Sequence, residues 1–182
     1  MNIAVTQNET TINGRVYDCL EPDWYQFLAT GRVTVIPNTG KFDLHKTDLI
    51  VFSGGRHIEN RRPTEVYCFD YAVANDIPML GICHGAFFLN YMLGGTNGKI
   101  DDHWGTEHEI EMDDKTYVVN SYHRLSLQTL DPCCQAIARH DKTVEAFKHK
   151  DKPIWGLVWH PERMTAPVLP HDVIELLYGN II

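Results

Sequence analysis

Cys83 is the side chain in this sequence best placed to do chemistry. It stands in Gly81-Ile82-Cys83-His84-Gly85, between an apolar run over 77–82 and a helix-like stretch over 84–93. A sharp strand-to-helix turn lifts one side chain above a sheet, and small residues on either side let the backbone pack around it. A thiol there lies at a helix N-terminus, whose partial positive charge favours a thiolate. On its own, a cysteine in an apolar run is as well explained by burial.

A thiol nucleophile needs a base to manage its proton and a carboxylate to orient that base. Trp159-His160-Pro161-Glu162 supplies both. His160 and Glu162 are two positions apart, so an extended segment puts them on one side, and Pro161 stiffens the link. Ser53-Gly54-Gly55 follows a third apolar run. Glycines there let a backbone N–H approach a reacting carbonyl. The N–H groups of Gly55 and His84 would together form an oxyanion hole.

The elements that must hold these groups follow from the hydrophobic pattern. Residues 2–6, 32–36, 48–52, 77–82 and 154–159 read as strands, and the continuous apolar runs suit a parallel sheet buried on both faces. Helices are expected over 22–30, after Pro63 (apolar side Val66, Phe69, Tyr71, Val73), over 84–93 and over 171–178. Residues 108–112, 117–122, 125–127, 136–139 and 144–148 read as antiparallel strands, with turns at Asp113-Asp114 and Asp141-Lys142. The pattern predicts an open, mostly parallel α/β sheet flanked by helices, with an antiparallel β-rich elaboration in the second half. In such sheets a site lies at the C-terminal strand ends, where all three reactive groups fall.

The 182 residues fit a single domain, 1–182, with no room for a second catalytic unit. Sixteen Lys and Arg against 24 Asp and Glu give a net charge of −8, which argues against a nucleic-acid partner. No basic segment precedes a long apolar run at the start, and the longest apolar stretch is broken by His84, Asn90 and glycines, so neither a secretory leader nor a membrane span is expected. Five cysteines, an odd number, suit a reduced, cytoplasmic protein. Gly94-Gly95-Thr96-Asn97-Gly98-Lys99-Ile100 departs from a phosphate loop in spacing and reads as a glycine-rich helix exit. His103 and His108 lack paired spacing on a helix, so no metal and no cofactor are expected.

The set of motifs resembles the class I, or triad, glutamine amidotransferase family. The resemblance rests on Ser53-Gly54-Gly55, Pro78 to Gly85, Asn120-Ser121-Tyr122-His123 and Gly156 to Glu162. It implies a flavodoxin-like fold and attack of Cys83 on a γ-glutamyl amide through a glutamyl-thioester. It also implies catalytic roles for Cys83, His160 and Glu162, and contacts to the glutamyl group from Gly54, Ser121, Tyr122 and His123. Val5-Thr6-Gln7, Tyr17 to Leu20, and Val144 to Phe147 are similar to the γ-glutamyl-γ-aminobutyrate hydrolase branch, which includes a hydrolase of γ-glutamyl-CDP-amidate. Phe87 stands where glutamine-using members carry a Gln. The implied partner is a small γ-glutamyl substrate. A glutaminase subunit serving a separate synthetase is the alternative, and a homodimer is compatible with either. A rival resemblance is to the DJ-1/PfpI superfamily, in which His84, directly after the cysteine, would be the partner histidine. In the amidotransferase reading His84 lends only its N–H, with its ring facing solvent or substrate.

Overall fold

The computed structural model describes residues 1–56 and 60–179. The chain opens with β1 (Asn2–Thr6), followed by a hairpin of β2 (Asn8–Ile12) and β3 (Arg15–Cys19), and a short helix α1 (Asp23–Phe27). The hairpin is absent from the sequence reading. Its turn is Asn13-Gly14, with φ of 50° and 75°, the two-residue connection that suits the strand twist. Helix α1 is shorter than the expected 22–30, because Leu28 leaves helical geometry at φ −101°, ψ 19°.

The next elements are β4 (Arg32–Ile36), β5 (Leu49–Phe52), α2 (Arg62–Ala74), β6 (Met79–Ile82), α3 (His84–Met92) and β7 (Thr96–Lys99). The antiparallel set is β8 (Trp104–Met112), β9 (Lys115–Tyr122), β10 (Leu125–Thr129), β11 (Cys134–His140) and β12 (Thr143–His149). The chain returns through β13 (Ile154–Leu157), a 3₁₀ turn at Pro161–Arg163 and α4 (His171–Tyr178). The segment expected to be a glycine-rich helix exit is in fact the edge strand β7, paired with β10.

The main sheet runs β4-β1-β5-β6-β13-β12-β11-β8-β9. The first five strands are parallel. From β12 onward pairing is antiparallel. The parallel half is the flavodoxin-like arrangement expected from the sequence. Strands β5, β6 and β13 are buried at every position, as their unbroken apolar runs require. Gly81 pairs with Phe52 on one side and Gly156 on the other.

Helix α2 turns a different face inward from the one its apolar residues suggest. Its buried residues are Thr64, Glu65, Cys68, Phe69 and Ala72, while Val73 is exposed. The cause is a buried ion pair on the inner face, between Glu65 and Arg61 at 2.9 Å. Among the described residues no helix is long and apolar enough to cross a membrane.

Candidate active site

Strand β6 ends where Cys83 leaves regular geometry at φ 48°, ψ −102°. Such a backbone is strained for any residue with a Cβ, by about 1–3 kcal/mol, and persists only where its surroundings impose it. Two contacts impose it here. The Cys83 N–H donates to the Leu157 carbonyl of β13 at 2.8 Å, and the Phe87 N–H closes the first turn of α3 on the Cys83 carbonyl at 3.1 Å. Gly85 lies directly on the Phe52 backbone, so a Cβ there would overlap the Phe52 carbonyl. The turn can stay sharp only because β5 and α3 touch at that glycine.

His160 follows β13, and Glu162 lies in the 3₁₀ turn. The imidazole Nδ1 bonds the Glu162 Oε1 at 2.6 Å, and both side chains are buried. Burial pushes the His160 pKa down. The hydrogen bonds and negative charge of Cys83 and Glu162 outweigh that and raise it to about 9. Asn120 of β9 holds the same histidine by its backbone. Its Nδ2 donates to the His160 carbonyl at 2.8 Å, and its Oδ1 accepts from the His160 N–H at 2.9 Å. The Tyr122 ring meets the imidazole edge-on at 5.9 Å.

Gly54 sits against His160: a Cβ on it would lie 2.5 Å from the imidazole Cε1. Any larger residue would displace the ring. The loop holding Gly54 and Gly55 is fixed from below by Arg61, which is fully buried. Its guanidinium donates to the carbonyls of Ser53 at 3.0 Å and Gly54 at 3.2 Å.

Cys83, His84, Gly55, Tyr122, His123 and His160 line one cavity of about 600 Å³, together with Asn8, Phe87, Trp104 and the arginines 56, 124 and 163. That size suits a small-molecule ligand. Of the positions expected to contact substrate, Tyr122 and His123 are on the wall. Gly54 acts behind His160. The Ser121 side chain is fully buried, and its hydroxyl donates to the His103 carbonyl at 2.7 Å.

The His84 ring differs from expectation. It turns inward, with Nε2 at 2.9 and 3.0 Å from the two Glu65 oxygens. Burial lowers its pKa, partly opposed by the Glu65 hydrogen bond. The sequence reading gave no site role to Asn8, to Asn120 or to the Arg61–Glu65–His84 network. Asn120 acts on a backbone and the network lies beneath the site, so neither leaves a motif of reactive side chains. Asn13-Gly14 was the available signal for the hairpin that brings in Asn8.

The elbow, the buried His160–Glu162 pair and the five-stranded parallel sheet together define the glutamine amidotransferase architecture. The chain belongs to the class-I glutamine amidotransferase family, whose profile matches residues 25–171. It is 26% identical over 163 residues to the γ-glutamyl-CDP-amidate hydrolase of Campylobacter jejuni, covering 80% of this chain and 81% of the relative. It is 33% identical over 141 residues to a glutamine-hydrolyzing GMP synthase subunit from Pyrococcus furiosus, covering 70% of this chain and 74% of the relative. A crystal structure of a glutamine amidotransferase from Thermotoga maritima shares the fold, with a TM-score of 0.67 and 17% identity over 88% of this chain and 76% of that one.

Proposed function

We propose that this chain is a cysteine-dependent hydrolase of γ-glutamyl amides. The observation that carries the reading is the 2.6 Å bond from Glu162 to His160, whose ring shares a cavity wall with Cys83 at its strained turn. Cys83 Sγ, as thiolate, adds to the γ-carbonyl carbon. The oxyanion is held by the N–H groups of Gly55 and His84; the latter opens α3, where N–H groups lack intrahelical partners. The His160 imidazolium then gives its proton to the departing nitrogen, leaving a glutamyl-thioester on Cys83. Neutral His160 next takes a proton from water. The hydroxide attacks the thioester, glutamate leaves, and the thiolate and imidazolium are restored. Glu162 orients the ring and balances its charge throughout.

The remaining wall favours an anionic leaving group. Arg124 stacks on Trp104 at 5.0 Å, and Arg163 stacks on Tyr122 at 5.1 Å while also pairing with Glu21. Aromatic rings beside guanidinium groups suit a base and a phosphate, in keeping with the relative named as a γ-glutamyl-CDP-amidate hydrolase. Arg61 and Arg62, basic in sequence, are not on this wall: Arg61 is buried beneath it and Arg62 stacks on Tyr91. Phe87 lines the cavity without an amide to offer, which further favours an amidate over free glutamine. We assign the catalytic unit to residues 1–182 and its setting to a reducing cytoplasm, in keeping with five free cysteines.

A glutamate-release screen over glutamine, γ-glutamyl amines and γ-glutamyl nucleotide amidates tests this reading. Release from the amidates and amines, abolished in Cys83→Ala, is expected. Turnover of glutamine alone, strengthened by a copurifying synthetase, would replace it with the ammonia-supplying reading that the GMP synthase relative suggests.

A further inference from the structure

Behind the cavity wall lies a second cluster of side chains for which the proposed amidase chemistry has no use. His103 precedes β8, His108 is on β8 and His140 ends β11. Each offers a ring nitrogen, and the three nitrogens lie within 4.8 Å of one another. The rings are packed together: His108 stacks on His140 at 4.2 Å with an interplanar angle of 18°, and His103 lies 5.0 Å from His108 and 5.6 Å from His140. Glu145 of β12 lies beside the group, its Oε2 3.5 Å from His108 Nε2 and 3.6 Å from His123 Nε2.

The protonation pattern is fixed by what can only accept. His103 Nδ1 lies 3.0 Å from the Asp101 carbonyl, and His140 Nδ1 lies 2.7 Å from the Glu109 carbonyl. A carbonyl accepts and cannot donate, so each Nδ1 carries the proton, and in the neutral ring Nε2 keeps its lone pair. A backbone carbonyl on the far nitrogen is the usual way a ligating histidine is oriented. His103 Nε2 and His108 Nε2 are buried with no hydrogen bond of ordinary length, the Glu145 carboxylate standing 3.5 Å from His108. A cation satisfies them together.

We propose that His103, His108 and His140 form a zinc site, with water in the fourth position and the Glu145 carboxylate beside it balancing charge. Three imidazoles suit Zn²⁺, whereas Mg²⁺ and Ca²⁺ require oxygen ligands. Ligands at about 2.0–2.1 Å from a tetrahedral ion lie about 3.4 Å apart, so the three nitrogens, within 4.8 Å of one another, close on it with small ring movements. No one stretch of sequence shows the site. His103 and His108 lack helical spacing, and His140 and Glu145 arrive only because β11 pairs with β8 and β12. The ion would join β8 and β11 immediately behind the cavity. The His103 carbonyl accepts from both Ser121 Oγ and the His123 N–H, so the site also steadies the Tyr122–His123 wall.

The test uses untagged protein freed of metal, titrated with Zn²⁺ and separately with Co²⁺. One equivalent of zinc per chain, a rise in Tm on zinc addition, and the strong visible bands of tetrahedral Co²⁺ without thiolate charge transfer are expected. His108→Gln and His140→Gln should each weaken zinc binding by at least about 100-fold, beyond the loss of a mere orienting partner. The exposed control His171→Gln and the variant Cys83→Ala should bind as the parent does. Failure to bind zinc, equal binding by His108→Gln and His140→Gln, or loss of binding in Cys83→Ala would each overturn the proposal. Circular dichroism of the zinc-free variants confirms that they are folded, so lost binding reports the ligands.

Discussion

Asn120 grips His160 by its backbone from both sides, donating to its carbonyl at 2.8 Å and accepting from its N–H at 2.9 Å. The strand-borne carboxamide thus fixes where the imidazole can stand, while Glu162 fixes how it is turned. Asn120→Ala leaves two buried backbone groups unpaired and should cost about 1–3 kcal/mol apiece at most. A displaced base should lower kcat by up to about 10²-fold with little change in KM. Asn120→Asp keeps the acceptor for the His160 N–H but sets a second oxygen against the His160 carbonyl, so it should not restore kcat. Unchanged kcat in a folded Asn120→Ala protein would deny the positioning role.

The two histidines at the site should separate cleanly. His160→Gln removes the base and should reduce kcat by about 10²–10⁴-fold. His84→Gln keeps the backbone N–H, so it should lose stability through the Glu65 contact while retaining most of kcat. The reverse pattern would support the DJ-1/PfpI-like use of His84. Arg61→Met should be more damaging to folding than either, because it removes the buried guanidinium that neutralises Glu65, a loss of about 3–5 kcal/mol.

Stability should depend on His160 in a defined pH window. Its folded pKa, about 9, lies above the unfolded value of 6.5. The folded protein therefore binds the extra proton between those limits. The contribution is full below pH 6.5 and is lost as pH rises through 9. His84 has the opposite sign. Its folded pKa is lowered, so its contribution is present above pH 6.5 and lost as pH falls below it. Urea denaturation across pH should show both limbs, and His160→Gln should flatten only the alkaline one. An alkaline limb of full size in His160→Gln would assign it to another group.

Alkylation should distinguish the thiols. Burial pushes Cys68 up to about 12, and Cys134 is likewise raised to about 12 by burial and by Cys133. Cys19 and Cys133 are raised as well, burial again being the main cause. Cys83 lines the open cavity. Brief iodoacetamide treatment at neutral pH should modify Cys83 first and stop turnover, with peptide mass spectrometry as the readout. Prior labelling of Cys19 or Cys133 with activity intact would contradict this ordering.

The parallel core was legible because β5, β6 and β13 are short apolar runs that can only be buried on both faces. The elbow was legible because Gly81 and Gly85 bracket a reactive residue at a strand end. What escaped was polar or long-range. The β2–β3 hairpin is largely exposed, so it lacks alternation, and Asn13-Gly14 was its sole mark. Glu65 on α2 reads as a surface charge until Arg61 and His84 are seen to enclose it. His103 and His140 meet only through strand pairing, and Asn120 works on a main chain that carries no sequence signal.

The central claim is a covalent step on one sulfur, and it can be seen directly. The enzyme is mixed with a substrate identified in the glutamate-release screen, quenched in acid within the first turnover, digested and examined by mass spectrometry. A glutamyl group on the peptide containing Cys83, lost on brief hydroxylamine treatment, is the predicted result. Cleavage of the amide by Cys83→Ala at an undiminished rate would contradict it.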